Sequence, residues 1–140
     1  MELEYTVGGS LTNDELNRLF ADAWPGSHEE GDFQRVLQHS LGYICARKDW
    51  QLVGFVNVAW DGGAHAFLLD PTLRTDCQRA GIACELVRRA QERPRKVGAP
   101  GLHVDFEPPR WEFYRRCDFR ESRAGLINLT GLWDAGSRAQ

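Results

Sequence analysis

The stretch QLVGFVNVAW, residues 51–60, constrains this chain more than any other. It is β-rich, and both of its faces are largely apolar. A strand of that kind is covered above and below, so it belongs inside a layered fold with helices flanking a sheet. YICAR (43–47) precedes it across Lys48-Asp49-Trp50, which reads as a hairpin loop. Asp61-Gly62-Gly63 follows as a turn, and a further strand begins near Ala64 and runs towards Leu73. Three strands joined this tightly form an antiparallel meander.

The flanking segments carry helical spacing. LEYTV (3–7) reads as a first strand, and Thr12 with Glu15 fits the S/T-x-x-E capping box. Leu16, Leu19, Phe20, Ala23 and Trp24 follow at helical intervals until Pro25-Gly26 stops the run. A second short helix is expected over 32–40, with Phe33, Val36 and Leu37 on one face. Beyond the meander, Ile82, Leu86 and Ala90 make an apolar stripe with Ala83 and Val87 beside it. Glu85 and Arg89 form an i,i+4 pair on the other side, and Pro94 bounds this helix at about residue 93. GLHVDF (101–106) reads as a strand, WEFYRRC (111–117) as a short helix and AGLINLT (124–130) as a last strand. Residues 131–140 read as a frayed tail, with Trp133 in it suited to packing. The expected order is β-α-α-β-β-β-α-β-α-β, a single α/β (α+β layered) domain over 1–140. Its sheet is mixed and mostly antiparallel, with one β-α-β crossover making the strands at 64–73 and 101–106 parallel neighbours.

Several function classes fall away on composition. A net charge of −3 and the lack of any Lys/Arg run give no electrostatic footprint for nucleic acid. No apolar stretch nears the roughly 20 residues a membrane helix needs, and the acidic, strand-like MELEYTVGGS is no signal peptide. Cys45, Cys77, Cys84 and Cys117 form no C-x-x-C pair, so no metal is expected and free thiols in a reducing cytoplasm are the default. Five tryptophans point to a substantial aromatic core or pocket wall.

The stretch DCQRAGIACELV (76–87) carries the chemistry. The first turn of a helix leaves about four N–H groups unpaired, with partial positive charge that attracts a phosphate. Gly81 and Ala83, small and two apart, keep side chains out of the way, while Gln78 and Arg79 add donors at the rim. Neither G-x-G-x-x-G nor G-K-[ST] is present, which excludes a Rossmann fingerprint and a Walker A loop. The same glycine and alanine would equally let a helix pack close to a sheet.

Gln78-Arg79-Ala80-Gly81-Ile82-Ala83 fits Q/R-x-x-G-x-G/A, and the chain here resembles the GNAT superfamily of acyl-CoA-dependent N-acetyltransferases. LLDPTLRTDCQRAGIACELVRRA is similar to that family's strand-loop-helix core, and LHVDF followed by EFYRRCDF is similar to its next strand and helix. The element order matches over about residues 3–130. Thr75 stands where the family often has Pro, and Asp118 where it commonly has Gly. Asp tolerates a left-handed backbone, so that turn survives. Pro71 lies within the strand before the turn, and Pro is tolerated at bulges.

The resemblance implies transfer of an acetyl group from acetyl-CoA to a primary amine, small-molecule or peptide, by direct attack. It implies that amides of residues 78 to 83 hold the pyrophosphate: Gln78, Arg79, Ala80, Gly81, Ile82 and Ala83. It implies that Pro71, Thr72 and Leu73 pair with the pantetheine arm, and that an N–H near Leu73 polarises the thioester carbonyl. Tyr114 takes the family's tyrosine position as the acid for the leaving thiolate. The base is open among Asp70, Asp105, Glu107, His65, His103 and a water chain, with Glu107 favoured. Cys84 reads as a packing residue. Trp24, Trp50, Trp60 and Trp111 are candidates for the acceptor wall, and Asp22, Glu29, Glu30 and Asp32 would suit a cationic amine. A non-catalytic CoA-binding sensor or interaction module is the alternative, and exposed strand edges leave room for a homodimer.

Overall fold

The computed structural model describes residues 3–78 and 80–131. Arg79, Trp133 and the rest of the expected tail from 132 lie outside the described residues. The chain divides into two compact units, Met1–Val104 and Asp105–Gln140.

The first unit is built on a five-stranded sheet in the order β1-β2-β3-β4-β5. The strands are β1 (Glu4–Val7), β2 (Ser40–Lys48), β3 (Gln51–Trp60), β4 (His65–Leu73) and β5 (Gly101–Val104). β1 to β4 are antiparallel neighbours, and β5 pairs with β4 in parallel, as a crossover requires. This is the single-domain mixed sheet with flanking helices that the sequence pattern calls for. β3 is buried along Leu52–Val58, which explains why both of its faces are apolar. Asp49 and Trp50 both take positive φ in the hairpin loop, the backbone of a two-residue primed turn.

One face of the sheet carries α1 (Asn13–Ala23) and α2 (Gln34–Gln38). Leu16, Leu19 and Phe20 of α1 bury against Cys45, Leu52 and Phe55. The capping box is formed: the Glu15 N–H donates to Thr12 Oγ1 at 3.1 Å, and the Thr12 N–H donates to Glu15 Oε2 at 2.9 Å. Buried Asn17 clasps the loop after α1, accepting from the Gly31 N–H and donating to the Gly31 carbonyl, both at 2.9 Å. α2 is shorter than its apolar spacing suggests. Val36 is exposed, and only Phe33 and Leu37 reach the core. β2 claims the chain from Ser40, so pairing across the sheet ends α2 early.

The other face carries α3 (Ala80–Ala90). Leu86, Val87 and Ala90 bury as the stripe predicts, with Glu85 bonded to both Arg88 and Arg89. The helix stops at Ala90, not 93, and α4 (Glu92–Lys96) restarts with Pro94 inside it. In a first helical turn the missing proline N–H has no intrahelical partner to lose, so Pro94 fits there. Gly54 brings α3 onto the sheet. A Cβ on it would lie 2.9 Å from Leu73 Cδ2 and 3.1 Å from Leu86 Cδ1.

The second unit holds α5 (Trp111–Arg116) after a 3₁₀ turn at Pro108–Arg110. The expected strand over 124–130 is absent. Those residues pair with nothing described, and Leu126, Ile127 and Leu129 are exposed. An alternating pattern states a preference for extended backbone, but a strand also needs a partner edge. The aromatic core is also smaller than five tryptophans suggest. Trp50 is 90% exposed and Trp24 42%, and the buried interior is mainly aliphatic. No helix among the described residues is long and apolar enough to cross a membrane.

Candidate functional site

The first unit's sheet opens into a fork. β4 and β5 pair only from His65↔Gly101 to Leu68↔Val104, while β4 runs on to Leu73 with β3 alone beside it. The far edge of Leu69–Leu73 is therefore a strand edge without a β5 partner, a template for main-chain pairing. A bulge marks the fork. Asn57 pairs with Leu69 and Phe55 with Thr72, so Asp70 and Pro71 together face Val56. Pro71 thus sits where a ladder N–H is not needed. Asp70 takes φ of 54°, a left-handed conformation in which the extra residue is accommodated. The Thr72 hydroxyl donates to the Asp70 carbonyl at 2.9 Å and stitches the bulge. Burial alone pushes the Asp70 carboxyl above the usual carboxylate range.

Leu73 ends the edge. The Arg74 N–H donates to the Val53 carbonyl at 2.8 Å, so by strand alternation the N–H and C=O of Leu73 point away from β3, towards the open side. The Leu73 N–H is thus presented on the open side of the strand. Its carbonyl accepts from Gln78 Nε2 at 3.2 Å. Gln78 thus ties the turn to the strand through its side chain, a structural task the sequence reading does not include.

The turn itself is braced from three sides. Residues Thr75–Cys77 form a 3₁₀ turn, closed by the Cys77 N–H donating to the Arg74 carbonyl. The Arg74 guanidinium bonds Asp76 and Gln51. Asp22 of α1 accepts from the Thr75 N–H at 2.7 Å and from its hydroxyl at 3.1 Å. A Pro at position 75 would lack both the N–H and the hydroxyl that make this brace. α3 then starts at Ala80, and a Cβ built on Gly81 meets nothing within 4 Å. The helix start is open at the position where bare backbone is needed, and α3, at 11 residues, is long enough to present an oriented N-terminus. Ile82 and Ala83 are half-buried on the following turn.

In the second unit, Tyr114 is 4% exposed, and its ring meets Phe106, Phe113 and Phe119 at 5.5, 5.0 and 5.5 Å. Burial pushes its phenol above the ordinary tyrosine range, with Arg110 opposing, so the group stays protonated at neutral pH. Asp118 takes φ of 72°, and the Phe119 N–H donates to the Tyr114 carbonyl at 3.1 Å. This is the left-handed helix stop expected of Asp in place of Gly. Glu107 is exposed and precedes the 3₁₀ turn, whose Arg110 N–H donates to its carbonyl at 2.8 Å.

On the acceptor side, Asp22 accepts from Thr75, and Asp32 from Asn13 Nδ2 at 3.0 Å and the Gln34 N–H at 3.1 Å, bonds that fix where these carboxylates point. Trp50 and Trp60 lie at opposite ends of β3, some 30 Å apart at about 3.3 Å per residue. They do not share one wall. No group of three or more metal-ligating side chains is found among the described residues.

A profile of the acetyltransferase (GNAT) family matches residues 13–119. Among solved structures, a GNAT-family acetyltransferase from Streptococcus pneumoniae aligns with a TM-score of 0.78 at 20% identity, over 93% of this chain and 99% of that one. An aminoglycoside N-acetyltransferase in complex with CoA aligns with a TM-score of 0.73 at 14% identity, over 93% and 95%. An aminoglycoside acetyltransferase from an uncultured soil metagenomic sample, in complex with sisomicin, aligns with a TM-score of 0.73 at 16% identity, over 91% and 95%. No curated protein sequence matches the chain.

Proposed function

The chain belongs to the acetyltransferase (GNAT) family, and from that premise we propose that it moves an acetyl group from acetyl-CoA to a primary amine by direct attack in a ternary complex. The observation that carries this reading is the fork: an unpartnered strand edge, Leu69–Leu73, leading within a few residues to an open helix start at Gly81. The edge suits an amide-bearing arm, and the helix start suits a diphosphate. Acetyl-CoA has both groups, and it supplies the activated acetyl as a thioester.

Backbone groups of Pro71 and Leu73, on the side away from β3, then hold the arm, with Thr72 between them turned to Phe55, and the Leu73 N–H supports negative charge as it grows on the carbonyl oxygen. The main-chain amides from Gln78 to Ala83, with Arg79 and Ala80 in the run, hold the phosphates. The amine nitrogen forms the new C–N bond, the C–S bond breaks, and the thiolate leaves. Tyr114 gives its phenolic proton to that thiolate, and Glu107 accepts the proton the amine releases; both residues are reset through solvent. Burial keeps Tyr114 protonated, so a proton is at hand when the thiolate leaves. A cytoplasmic setting goes with this reading, as the lack of any C-x-x-C pair in the sequence suggests.

The test is a CoA-release assay with a panel of primary amines, run beside calorimetric titration with acetyl-CoA. Turnover with at least one amine is expected, and Tyr114→Phe is expected to lower kcat by about a hundredfold with acetyl-CoA affinity unchanged. Unchanged kcat in that variant removes Tyr114 from the mechanism. Binding without turnover across the panel leaves a CoA-binding sensor instead.

A further inference from the structure

We propose that the acceptor is a primary amine carried on a flat apolar ring, and that the Phe67–His103 stack on β4 and β5 reads that ring; this rests on the acetyl-transfer reading above. Phe67 and His103 are register partners across the parallel pair, with ring centroids 5.0 Å apart and planes 26° from parallel. His65 adds a third ring, 5.9 Å from His103. β4 alternates sharply here. Ala66 and Leu68 are buried at 0% and 2%, while Phe67 and Leu69 are 42% and 38% exposed.

The exposed set shares a face with Phe55, Asn57 and Ala59 of β3, through the pairs Ala59↔Phe67 and Asn57↔Leu69. Phe55 is covered by the α1 cluster. Two rows further along the sheet, that cover is gone and the rings stand open. The open rows run directly into the fork, because Leu69 is the first β4 residue beyond the last β5 pair. A ring lying on Phe67 and His103 would therefore have its amine carried towards the thioester-binding edge.

Charge argues against a polycation. The platform holds two imidazoles and no carboxylate. Asp61, beside it, is turned to the Gly63 N–H at 2.8 Å and the His65 ring at 3.0 Å, so its carboxylate is directed at these partners. Asp70 alone in this unit lies within the fork, one carboxylate for one ammonium. A stacked ring gains about 0.5–1.5 kcal/mol beyond area burial, up to about tenfold in affinity.

The experiment compares phenethylamine and tryptamine with kanamycin and spermidine by CoA release at saturating acetyl-CoA, and titrates phenethylamine into the CoA-loaded protein by calorimetry. The ring amines are expected to exceed the polycations about tenfold or more in kcat/KM. Phe67→Ala is expected to raise the phenethylamine KM about tenfold with acetyl-CoA affinity unchanged, and His103→Ala serves if Phe67→Ala does not fold. Preference for kanamycin or spermidine, or an unchanged KM in both variants, overturns the proposal. Phenethylamine binding without release of CoA from any amine supports the platform and sinks the transferase reading. Turnover of a polycation without phenethylamine binding does the reverse, and neither binding nor turnover overturns both.

Discussion

β4 behaves as two strands end to end. Its first half, His65–Leu68, has a neighbour on each side, and its core-facing residues are fully buried. Its second half, Leu69–Leu73, has a neighbour on one side, a bulge, a left-handed aspartate and a proline. The first half satisfies its backbone within the protein. The second leaves one edge unsatisfied and accepts local strain, and strain kept next to an unpaired edge is the pattern of a functional segment. On the reading proposed above, stability and ligand recognition are held by different residues of one strand and can be disturbed separately.

Two substitutions should break the comparison cleanly. Gly81→Glu places a carboxylate in front of the helix start, in space that is open, so folding is spared. Calorimetry should show acetyl-CoA binding lost, with affinity down on the order of a thousandfold or more, about 4 kcal/mol, while the melting temperature without ligand stays near that of the parent. Binding at parental affinity would remove the phosphate site from α3. Leu68→Ala should do the opposite. Leu68 is 2% exposed in the doubly flanked half, and its truncation should cost about 2–5 kcal/mol in urea unfolding. The folded fraction should still bind acetyl-CoA normally.

Gly54→Ala sharpens the contrast, because Gly54 pairs with Leu73, the last residue of the open half. Its new Cβ would press on Leu73 Cδ2 and Leu86 Cδ1, and also on Ala46 Cβ at 3.2 Å. Overpacking of this kind costs about 1–3 kcal/mol. The strain falls on Leu73, so acetyl-CoA affinity should weaken along with stability. Loss of stability with intact affinity would show that α3 yields and the strand edge does not.

What the sequence made legible follows the same division. Features set by one element and its own side chains were readable: the Thr12/Glu15 capping box, the Leu86–Ala90 stripe, the Asp118 stop and the two-faced burial of β3. So was the start of α3 close to Gly81, where a Cβ would meet nothing within 4 Å. Features set by a partner were not. Residues 124–130 have strand spacing, yet the spacing does not say which edge would receive them. Asp22 reads as a solvated charge until α1 folds against the turn and Thr75 claims it. The Phe67–His103 stack joins residues 36 positions apart, and only the parallel register of β4 and β5 brings them together. Tyr114 and Glu107 were named through family resemblance, and their geometry adds burial for one and exposure for the other.

The finest cut of the comparison is Thr72→Val. The two side chains are nearly the same size, so packing in this buried position changes little, and the substitution removes only the hydroxyl that bonds the Asp70 carbonyl. An internal hydrogen bond is worth about 1 kcal/mol net, and loss of this one leaves the Asp70 carbonyl without its donor. For a domain of this size that is a fall of about 2–4 °C in melting temperature. If the stitched bulge is what presents the Leu69–Leu73 edge, acetyl-CoA affinity should fall about fivefold as well, since the edge must be re-formed on binding. A thermal shift without a change in affinity would mean that the bulge keeps its shape through Asp70 and Pro71 alone, and that the hydroxyl belongs with the structural half of the strand.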